Sequence, residues 1–305
     1  MFKSNKTLGI VFVVLAVITA LVFLTDTGKK ERTFRKELVA IDTAKVNEII
    51  IYPKSQKGKD VKLIKETDGW KVVLDNGKKA PVAKNKVKGI FEQLLSVKPN
   101  RLVAREKEKW SAYEVDSTAT RVVIMENGKK TLDLVIGRFN FKQPRSMSTY
   151  VRLFNDNDVY EVDGFLSMSF NRSANDFRNN VVINDDYKKW KRLIFDYPAD
   201  SSFQMTKVKN RWTAGVEILD SAKTEQYLRK IAHINNSKFD DGVNPEQLDK
   251  PAYKLTIEGE NGKNITVSAY VDSSKSLVTS SQNPGTFFND KKLVEKIFVG
   301  LSKLK

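Results

Sequence analysis

Apolar residues are concentrated at the start of the chain. Residues Thr7 to Thr25, TLGIVFVVLAVITALVFLT, are uncharged and almost wholly apolar. At about 1.5 Å per residue, a helix of this length reaches roughly 28 Å, close to the thickness of the hydrocarbon core of a bilayer. The run is longer than the core of a typical signal peptide, and no Ala-x-Ala site follows it. The pattern therefore predicts an uncleaved transmembrane anchor, residues 1–25, that contacts the lipid bilayer through residues 7–25.

Charged residues on both sides of this run set its expected orientation. Lys3 and Lys6 precede the run, which favours a cytoplasmic N-terminus and export of the remaining chain. Five basic residues between Lys29 and Lys36 follow it and favour the opposite orientation. We expect the first arrangement, a single-pass protein of the cell inner membrane with its bulk in the periplasm.

The remaining chain repeats its pattern of apolar and polar positions. EIIIYP, Glu48 to Pro53, has a counterpart in RLIFDYP, Arg192 to Pro198. A polar stretch and then a tryptophan, Trp70 or Trp212, follow each segment. Self-similarity of this kind indicates that one structural unit occurs twice.

Later segments extend this alignment. VDSTATRVVIMENGK and LDKPAYKLTIEGENGK align Asp116 with Asp249, Ala119 with Ala252 and Ile124 with Ile257 at a constant offset of 133 residues. Farther on, TYVRLF at Tyr150 aligns with AYVDSS at Tyr270. The order of the segments is the same in both halves, so we expect both halves to fold alike.

Helical periodicity occurs once in the middle of each half. KNKVKGIFEQLLSVK and DSAKTEQYLRKIAHINN both place apolar residues at the i, i+3, i+4, i+7 spacing of a helix with one buried face. NDKKLVEKIFVGLSKL predicts a further amphipathic helix at the C-terminus. Parallel strands would need more helices than these to connect them, so the remaining strands are expected to be antiparallel.

Together these patterns predict an α+β protein. We expect an N-terminal transmembrane helix followed by two tandem repeats, each a mostly antiparallel sheet with one main helix. The predicted domains are an anchor (1–25), a linker (26–45), a first repeat (46–185) and a second repeat (186–305).

Charge adds one candidate binding surface. The net charge is +16, and between Lys54 and Lys109 there are 16 basic residues against 7 acidic ones. A positive surface attracts nucleic acid, anionic lipid or an acidic partner. These lysines are dispersed without interleaved aromatic residues, so no nucleic acid is expected as a partner. The candidate anionic-ligand patch is Lys84, Lys86 and Lys88.

The tripeptide Asn-Gly-Lys begins at Asn76, Asn127 and Asn261. A phosphate-binding loop of the Walker type needs two glycines with four residues between them, then lysine and a hydroxyl residue. None of the three copies has that spacing. Asn-Gly between two β-like runs instead predicts a tight hairpin turn, because both residues tolerate the positive φ that the turn requires.

Other chemically reactive residues give no site. FNDNDVY, Phe154 to Tyr160, lacks the glycine and the distant glutamate of a calcium loop, and His233 is the single histidine. The pairs Asp185-Asp186 and Asp240-Asp241 are general acid and base candidates, but helix caps and turns account for them better. The chain has no cysteine. We therefore predict a non-enzymatic protein with no catalytic residues, no cofactor and no metal.

With these residues in view, the chain resembles a bacterial family of membrane-anchored proteins of unknown function with an internal duplication, often encoded beside gliding-motility-type ABC transporter proteins. Apart from the N-terminal apolar run, the resemblance rests on short segments in a fixed order: DGWKV at Asp68, YEVDSTATRVVI at Tyr113, IG at Ile136, YVR at Tyr150, VYEVD at Val159 and DFRNNVV at Asp176. The chain departs from the family pattern at Glu114 and Val115, where Gly-Leu is usual, and at Thr118, where proline is common. The resemblance implies no catalytic residues and a membrane protein partner of ABC-transporter type.

Three functional hypotheses follow. The leading one is a membrane-anchored extracytoplasmic scaffold or accessory protein of an ABC-transporter-like envelope complex. The second is a binding module for an anionic envelope polymer. The third is an envelope hydrolase, which would require a cleft that gathers carboxylates from both repeats.

Overall fold

The computed structural model describes residues 9–17, 35–142, 146–260, 262 and 264–305. Antiparallel strands dominate these residues. The strands are β1 (Val46–Tyr52), β2 (Val61–Glu66), β3 (Gly69–Val73), β4 (Lys79–Pro81), β5 (Pro99–Ala104), β6 (Thr120–Glu126), β7 (Lys129–Lys142), β8 (Ser146–Leu153), β9 (Val159–Asp163), β10 (Val181–Asn184), β11 (Trp190–Asp196), β12 (Phe203–Val208), β13 (Arg211–Ala214), β14 (Glu217–Ile218), β15 (His233–Asn235), β16 (Tyr253–Gly259), β17 (Asn264–Val271), β18 (Ser276–Ser280) and β19 (Phe288–Asn289). The helices are α1 (9–17), α2 (Lys84–Leu95), α3 (Trp110–Tyr113), α4 (Leu166–Phe170), α5 (Ala174–Phe177), α6 (Ser221–Ala232) and α7 (Lys291–Ile297).

The chain divides into two compact units. The first unit consists of Met1–Thr67 and Lys84–Ser173, and the second of Asp68–Ala83 and Ala174–Lys305. The second unit therefore includes a segment that lies, in sequence, inside the first. This division differs from the predicted boundary between residues 185 and 186.

The first unit is built on a sheet with the strand order β2-β1-β6-β7-β8-β9-β5. Helix α4 contacts β6 and β7, and α2 contacts α4. The core consists of apolar strand residues and the inner face of α2. Its fully buried members include Ile49, Ile51, Leu63, Leu94, Ile124, Leu134, Ile136 and Tyr160.

The second unit is built on a sheet with the strand order β14-β13-β12-β11-β16-β17-β18-β19. The unit also contains the β3–β4 hairpin and the two-stranded sheet β10–β15. Helix α6 contacts β10 and β13, and α7 contacts β18. Its core includes Trp190, Leu193, Phe195, Leu228, Ile231, Leu255, Val267 and Phe288.

The strand registers in the two units correspond. Val46 pairs with Glu126 in the first unit, and Trp190 pairs with Gly259 in the second. In both units an irregularity follows this first pair, after which the strands run in regular register. Positions in β1 and β11 therefore differ by 144 residues throughout, and positions in β6 and β16 by 133.

The correspondence continues into the next strands and corrects one part of the sequence alignment. Ile136 pairs with Val151 and Ala269 with Val278, so the counterpart of Tyr150 is Leu277. Tyr270 lies on β17, one strand earlier. The alignment of Tyr150 with Tyr270 is therefore wrong, because the two segments share a Tyr-Val dipeptide but not a place in the sheet.

The helices α2 and α6 match the predicted periodic segments. Both have 12 residues, and α6 begins with Asp220 as N-cap, whose carboxylate accepts a hydrogen bond from the Lys223 amide at 2.7 Å. The C-terminal helix is shorter than the amphipathic pattern predicts: α7 ends at Ile297. Tyrosine hydroxyls bind carbonyls at and just beyond the end of α7: Tyr227 donates to the Ile297 carbonyl at 2.6 Å and Tyr197 to the Val299 carbonyl at 3.0 Å.

The predicted fold class is wrong in its first element, the transmembrane helix. Of the predicted span, the structure describes the nine residues 9–17 as helix α1, and residues 7, 8 and 18–25 lie outside the described residues. Nine helical residues reach roughly 14 Å, about half the hydrocarbon thickness of a bilayer. In the described part of the chain, no helix has both the length and the apolar character needed to cross a membrane. What the structure shows is mostly antiparallel sheet.

Candidate functional site

The first unit contains a cleft of about 970 Å³ where β1 ends and β6 begins. Aromatic and apolar side chains form part of its wall, and basic side chains form much of the rest. The lining residues are Tyr52, Pro53, Lys54, Lys57, Gly58, Trp110, Asp116, Ser117, Thr118, Ala119, Arg121, Val135, Arg152 and Phe154. We refer to this site as the cleft.

Arg121 on β6 is fixed in the cleft along one edge of its guanidinium group. Its Nε and Nη2 each donate to a carboxylate oxygen of Asp133 at 2.7 Å. Its Cζ lies 3.6 Å from the ring centroid of Phe154 and 5.4 Å from that of Tyr52. The bond to Asp133 raises the pKa of Arg121 above its ordinary value. The guanidinium group is therefore charged and held in one orientation.

The opposite edge of Arg121 is open. A guanidinium group carries five N–H donors, and Asp133 takes one on Nε and one on Nη2. In the described part of the chain, Nη1 has no hydrogen-bond acceptor, and 28% of the side chain is exposed. The Nη1–Nη2 edge has the two parallel donors that bind a carboxylate or phosphate group.

Arg152 on β8 is a buried charge. Its Nε and Nη2 donate to the Val115 carbonyl at 3.2 and 3.1 Å, and its Nη1 donates to the carbonyls of Leu153, Phe154 and Asp156. Its Cζ lies 3.7 Å from the ring centroid of Trp110. No carboxylate among the described residues pairs with it, and burial lowers the pKa of its guanidinium group. Backbone dipoles and an aromatic face thus stabilise this charge without a counter-ion.

Lysines and one carboxylate complete the charge of the cleft. Lys54 Nζ lies 2.6 Å from Glu114, whereas Lys57 makes no ion pair within the described residues. The Asp116 carboxylate accepts hydrogen bonds from the hydroxyl and the amide of Thr118, which lower its pKa. The lining residues therefore carry four cationic side chains against one carboxylate.

The segment around Asp116 is positioned by a close approach to β7. Helix α3 ends at Tyr113, and Glu114 follows with a φ of 54°. Gly137 on β7 lies so near this turn that a Cβ atom there would be 2.3 Å from the Tyr113 carbonyl oxygen and 2.6 Å from Val115 Cγ1. Glycine at this position lets the turn pack against the sheet, which places Asp116 and its neighbours at the cleft.

The predicted lysine patch lies elsewhere, in the first turns of α2. Lys84 and Lys88 are four residues apart and lie on one side of the helix, while Lys86 is rotated about 200° from Lys84. Lys88 forms an ion pair with Glu92 at 3.5 Å. None of the three lines the cleft. The patch stays a prediction.

The acidic pairs occupy structural positions. Asp185 accepts from the Trp190 indole at 2.7 Å, and Asp186 accepts from the Lys188 amide as an N-cap. Asp240 lies 3.0 Å from Lys275, whose hydrogen bond lowers the Asp240 pKa. An aspartate ionised in this way is a poor general acid near neutral pH.

The remaining candidates also fill structural roles. Asp156 and Asp158 lie in the turn between β8 and β9, where Asp156 accepts from the Asp158 amide at 3.2 Å. His233 is exposed at the end of α6, with Nδ1 2.8 Å from Asn184 Oδ1. Among the described residues, no three His, Cys, Asp or Glu side chains are grouped so that they could hold a metal ion.

Comparison with known proteins identifies the family. Residues 70–258, more than half of the chain, match the domain of unknown function DUF4340. The chain belongs to the DUF4340 family. No curated protein and no solved structure matches it. The match confirms the coarser part of the resemblance, a domain of unknown function, and the matched region contains Trp110, Arg121 and Arg152.

Two segments that carried the resemblance meet at the cleft. Tyr113 to Ile124 supplies Asp116 and Arg121, and Tyr150 to Arg152 supplies Arg152. Sequence reasoning singled out these segments without identifying their arginines as site residues. Each of these two segments contains one arginine, and that was the signal in the sequence that could have identified the site.

Proposed function

We propose that the first unit is a binding module for an anionic ligand, which the cleft holds by a carboxylate or phosphate group. The observation that carries this proposal is Arg121. Asp133 fixes one edge of its guanidinium group, Phe154 covers a face, and the other edge remains open in the cleft. Because the donors are already oriented, little side-chain entropy is lost when an anion binds.

The other lining residues define the remaining chemistry of the ligand. Lys57 and the buried charge of Arg152, which have no ion-pair partner among the described residues, make the cleft positive, and this favours an acidic ligand. Pro53 and Val135 give it apolar wall area that suits the carbon skeleton of a sugar or a glycerol unit. This proposal keeps the hypothesis of an anionic envelope polymer and places its contact in the cleft.

Titration calorimetry with two defined probes tests the proposal: a short oligogalacturonate, which presents carboxylates, and a short poly(glycerol phosphate), which presents phosphates. We expect wild-type protein to bind at least one of them and Arg121→Met to weaken binding by about tenfold or more, because a hydrogen-bonded charged group is lost. Arg121→Lys keeps the charge without the paired donors, so its affinity should also fall.

Lys254→Met is the matched control. Lys254 pairs with Asp196 in the second unit as Arg121 pairs with Tyr52 in the first, and the substitution removes one positive charge from the corresponding strand position. Its affinity should equal that of wild type. Failure of the wild type to bind either probe, or equal losses in Arg121→Met and Lys254→Met, would rule out the site.

A duplication within the chain is the second part of this proposal. The corresponding registers and irregularities of β1–β6 and β11–β16 support it. The two copies have diverged at the cleft, since Lys254 and Thr279 stand where the first unit has Arg121 and Arg152. In the second unit Tyr253, which precedes Lys254, belongs to an aromatic cluster and is centred 5.2 Å from Tyr197. Binding of an acidic polymer in a cleft of this kind is accordingly assigned to the first unit.

Association with an ABC-transporter-type membrane protein, implied by the resemblance, remains a proposal alongside ligand binding. Co-purification of the chain from gently solubilised membranes tests it, and consistent absence of a transporter component would count against it. The extracytoplasmic location is likewise a prediction, which a reporter fused after residue 45 would check.

A further inference from the structure

The second unit contains a smaller cavity, of about 260 Å³, that is separate from the cleft. Its walls combine basic residues with two aspartates and three prolines from separate segments. The lining residues are Lys71, Leu74, Lys78, Lys79, Ala80, Pro81, Arg178, Asp240, Asp241, Val243, Pro245, Pro284, Gly285, Thr286 and Phe287. We propose that this second-unit cavity is a phosphate site, in which Arg178 and Lys78 bind the oxyanion.

Arg178 is buried, with 4% of its surface exposed, and is only partly satisfied. Its Nη1 and Nη2 donate to the two carboxylate oxygens of Asp241 at 2.9 and 2.8 Å, and Nη1 also donates to Asn175. Phe239 lies against its face, with 3.7 Å from Cζ to the ring centroid. The buried Nε has no hydrogen-bond partner among the described residues.

The unsatisfied donors of Arg178 lie together. Asp241 and Asn175 take both donors of Nη1 and one of Nη2, which leaves the Nε donor and the second Nη2 donor. These two donors form the Nε–Nη2 edge of the guanidinium group. A second oxyanion can bind at this edge while the Asp241 carboxylate occupies the Nη1–Nη2 edge. Buried donors in native proteins are normally satisfied, by an ion or a water where no protein group does so.

Lys78 reaches the same cavity from the first Asn-Gly-Lys turn. Gly77 has a φ of 77°, and the Lys78 amide donates to the Asn76 side chain at 2.9 Å. The turn directs Lys78 Nζ to the Asp241 carbonyl oxygen at 2.8 Å. Lys78 makes no ion pair with a carboxylate among the described residues, so its charge remains available to an anion. The tripeptide thus turns the chain and also places a cation at the cavity that Arg178 lines, where both side chains contact Asp241.

The charges around the cavity favour an anion. Asp241 is neutralised by Arg178, and Asp240 lies 3.0 Å from Lys275. Lys71 lies 2.6 Å from Asp68, and Lys79 also lines the cavity. Each aspartate of the lining thus has a cationic partner, and the positive charge of Lys78 is not balanced by either of them. The volume is below the range of about 300–1,000 Å³ typical of drug-sized ligands, so it suits a small oxyanion or a small phosphate ester.

Phosphate is favoured over a carboxylate because Arg178 and Lys78 belong to separate segments of the cavity wall, and the oxygens of a tetrahedral oxyanion can accept from both. Free phosphate and a phosphate monoester share this chemistry. Inorganic phosphate, glycerol 3-phosphate and acetate, each titrated against a chloride reference of equal ionic strength, distinguish the sources. We expect millimolar binding of inorganic phosphate, glycerol 3-phosphate or both, and weaker binding of acetate.

Two variants form the critical comparison. Lys78→Ala should weaken phosphate binding by about tenfold, because a charged donor is lost. Lys129→Ala removes the lysine of the Asn127-Gly128-Lys129 turn in the first unit, which does not line the cavity, and should leave binding unchanged. Since both lysines follow a positive-φ glycine in an exposed turn, neither change should disturb folding.

Nuclear magnetic resonance supplies a second readout on the intact chain. The Nε–H resonance of Arg178 should shift during phosphate titration and saturate with the calorimetric affinity. Absence of phosphate binding by wild type, equal affinity of Lys78→Ala and Lys129→Ala, or a stationary Arg178 resonance during binding would each overturn the proposal. The last two results would place any bound phosphate elsewhere.

Discussion

Arg121 and Arg152 lie in one cleft but are stabilised differently. Asp133 neutralises Arg121, whereas Arg152 depends on carbonyl dipoles and the Trp110 ring. Asp133 also binds Lys130 at 2.9 Å, so a single carboxylate holds two cations. Its side chain is 9% exposed, which makes this carboxylate a structural element of the cleft.

The acid stability of the first unit should depend on Asp133. Burial raises the Asp133 pKa, but hydrogen bonds and charge from Arg121 and Lys130 outweigh burial and keep the pKa below its usual value. A carboxylate with a lowered folded-state pKa contributes stability above its unfolded pKa of about 3.9, and this contribution is lost as the pH falls through the folded pKa. Asp133→Asn should lower the free energy of unfolding by about 1–3 kcal/mol at neutral pH and show a smaller loss below pH 4.

Urea unfolding at neutral and acid pH measures this difference. Glu92→Gln is a suitable control, because the exposed Lys88–Glu92 pair on α2 contributes little to stability. A neutral-pH stability of Asp133→Asn equal to that of Glu92→Gln would show that the Arg121 contact does not stabilise the fold.

The arginines of the cleft were not identified from the sequence, for an identifiable reason. Lys84, Lys86 and Lys88 are close in sequence, so their charge density is visible along the chain. Arg121 on β6 and Phe154 after β8 are 33 positions apart, and they meet only because β7 pairs with both strands. A site made by strand register is not visible in a local window, although each of its arginines lay in a segment already singled out.

At the level of elements, Gly137 and Gly89 should respond oppositely to alanine. A Cβ at Gly137 would meet backbone at 2.3 Å, whereas one at Gly89 on α2 meets nothing within 4 Å. Gly137→Ala should therefore destabilise by about 1–3 kcal/mol and weaken ligand binding by displacing the Asp116 turn. Gly89→Ala should stabilise by about 0.5–1 kcal/mol. Urea unfolding measures the free energy of unfolding of both variants. An unchanged value for Gly137→Ala would mean that the turn moves freely.

Local patterns predicted some elements well. Asn127 and Gly128 have φ values of 49° and 77° between β6 and β7, as the Asn-Gly hairpin rule requires. Gly262 has a φ of 67°, while Asn261 and Lys263 lie outside the described residues. The transmembrane prediction rested on the apolar character of residues 7–25, whereas the described helix covers residues 9–17, and no helix in the described part of the chain has the length and apolar character that crossing a membrane requires.

At the scale of the whole molecule, the extent of each unit was the hardest property to predict. Residues 68–83 follow β2 directly in sequence, yet they belong to the second unit. Within that unit the Asn179 amide donates to the Pro81 carbonyl at 2.7 Å, and Val82 pairs with Arg178. Contacts across about a hundred residues of sequence carry no local pattern, so a boundary drawn from repeats alone misses them.

This assignment predicts which core protects the β3–β4 hairpin from hydrogen exchange. The Val82 amide donates to the Trp70 carbonyl at 2.9 Å, and both residues lie in the second unit. Leu193→Ala removes a fully buried side chain from that core, at a cost of about 2–5 kcal/mol, and should speed exchange of the Val82 amide under native conditions. Ile49→Ala changes the corresponding strand position of the first unit. It should instead speed exchange of the Phe154 amide, which donates to the backbone carbonyl of Asp133. Equal acceleration of both amides by both variants would show that the two units open as one, and acceleration of Val82 by Ile49→Ala alone would assign the hairpin to the first unit.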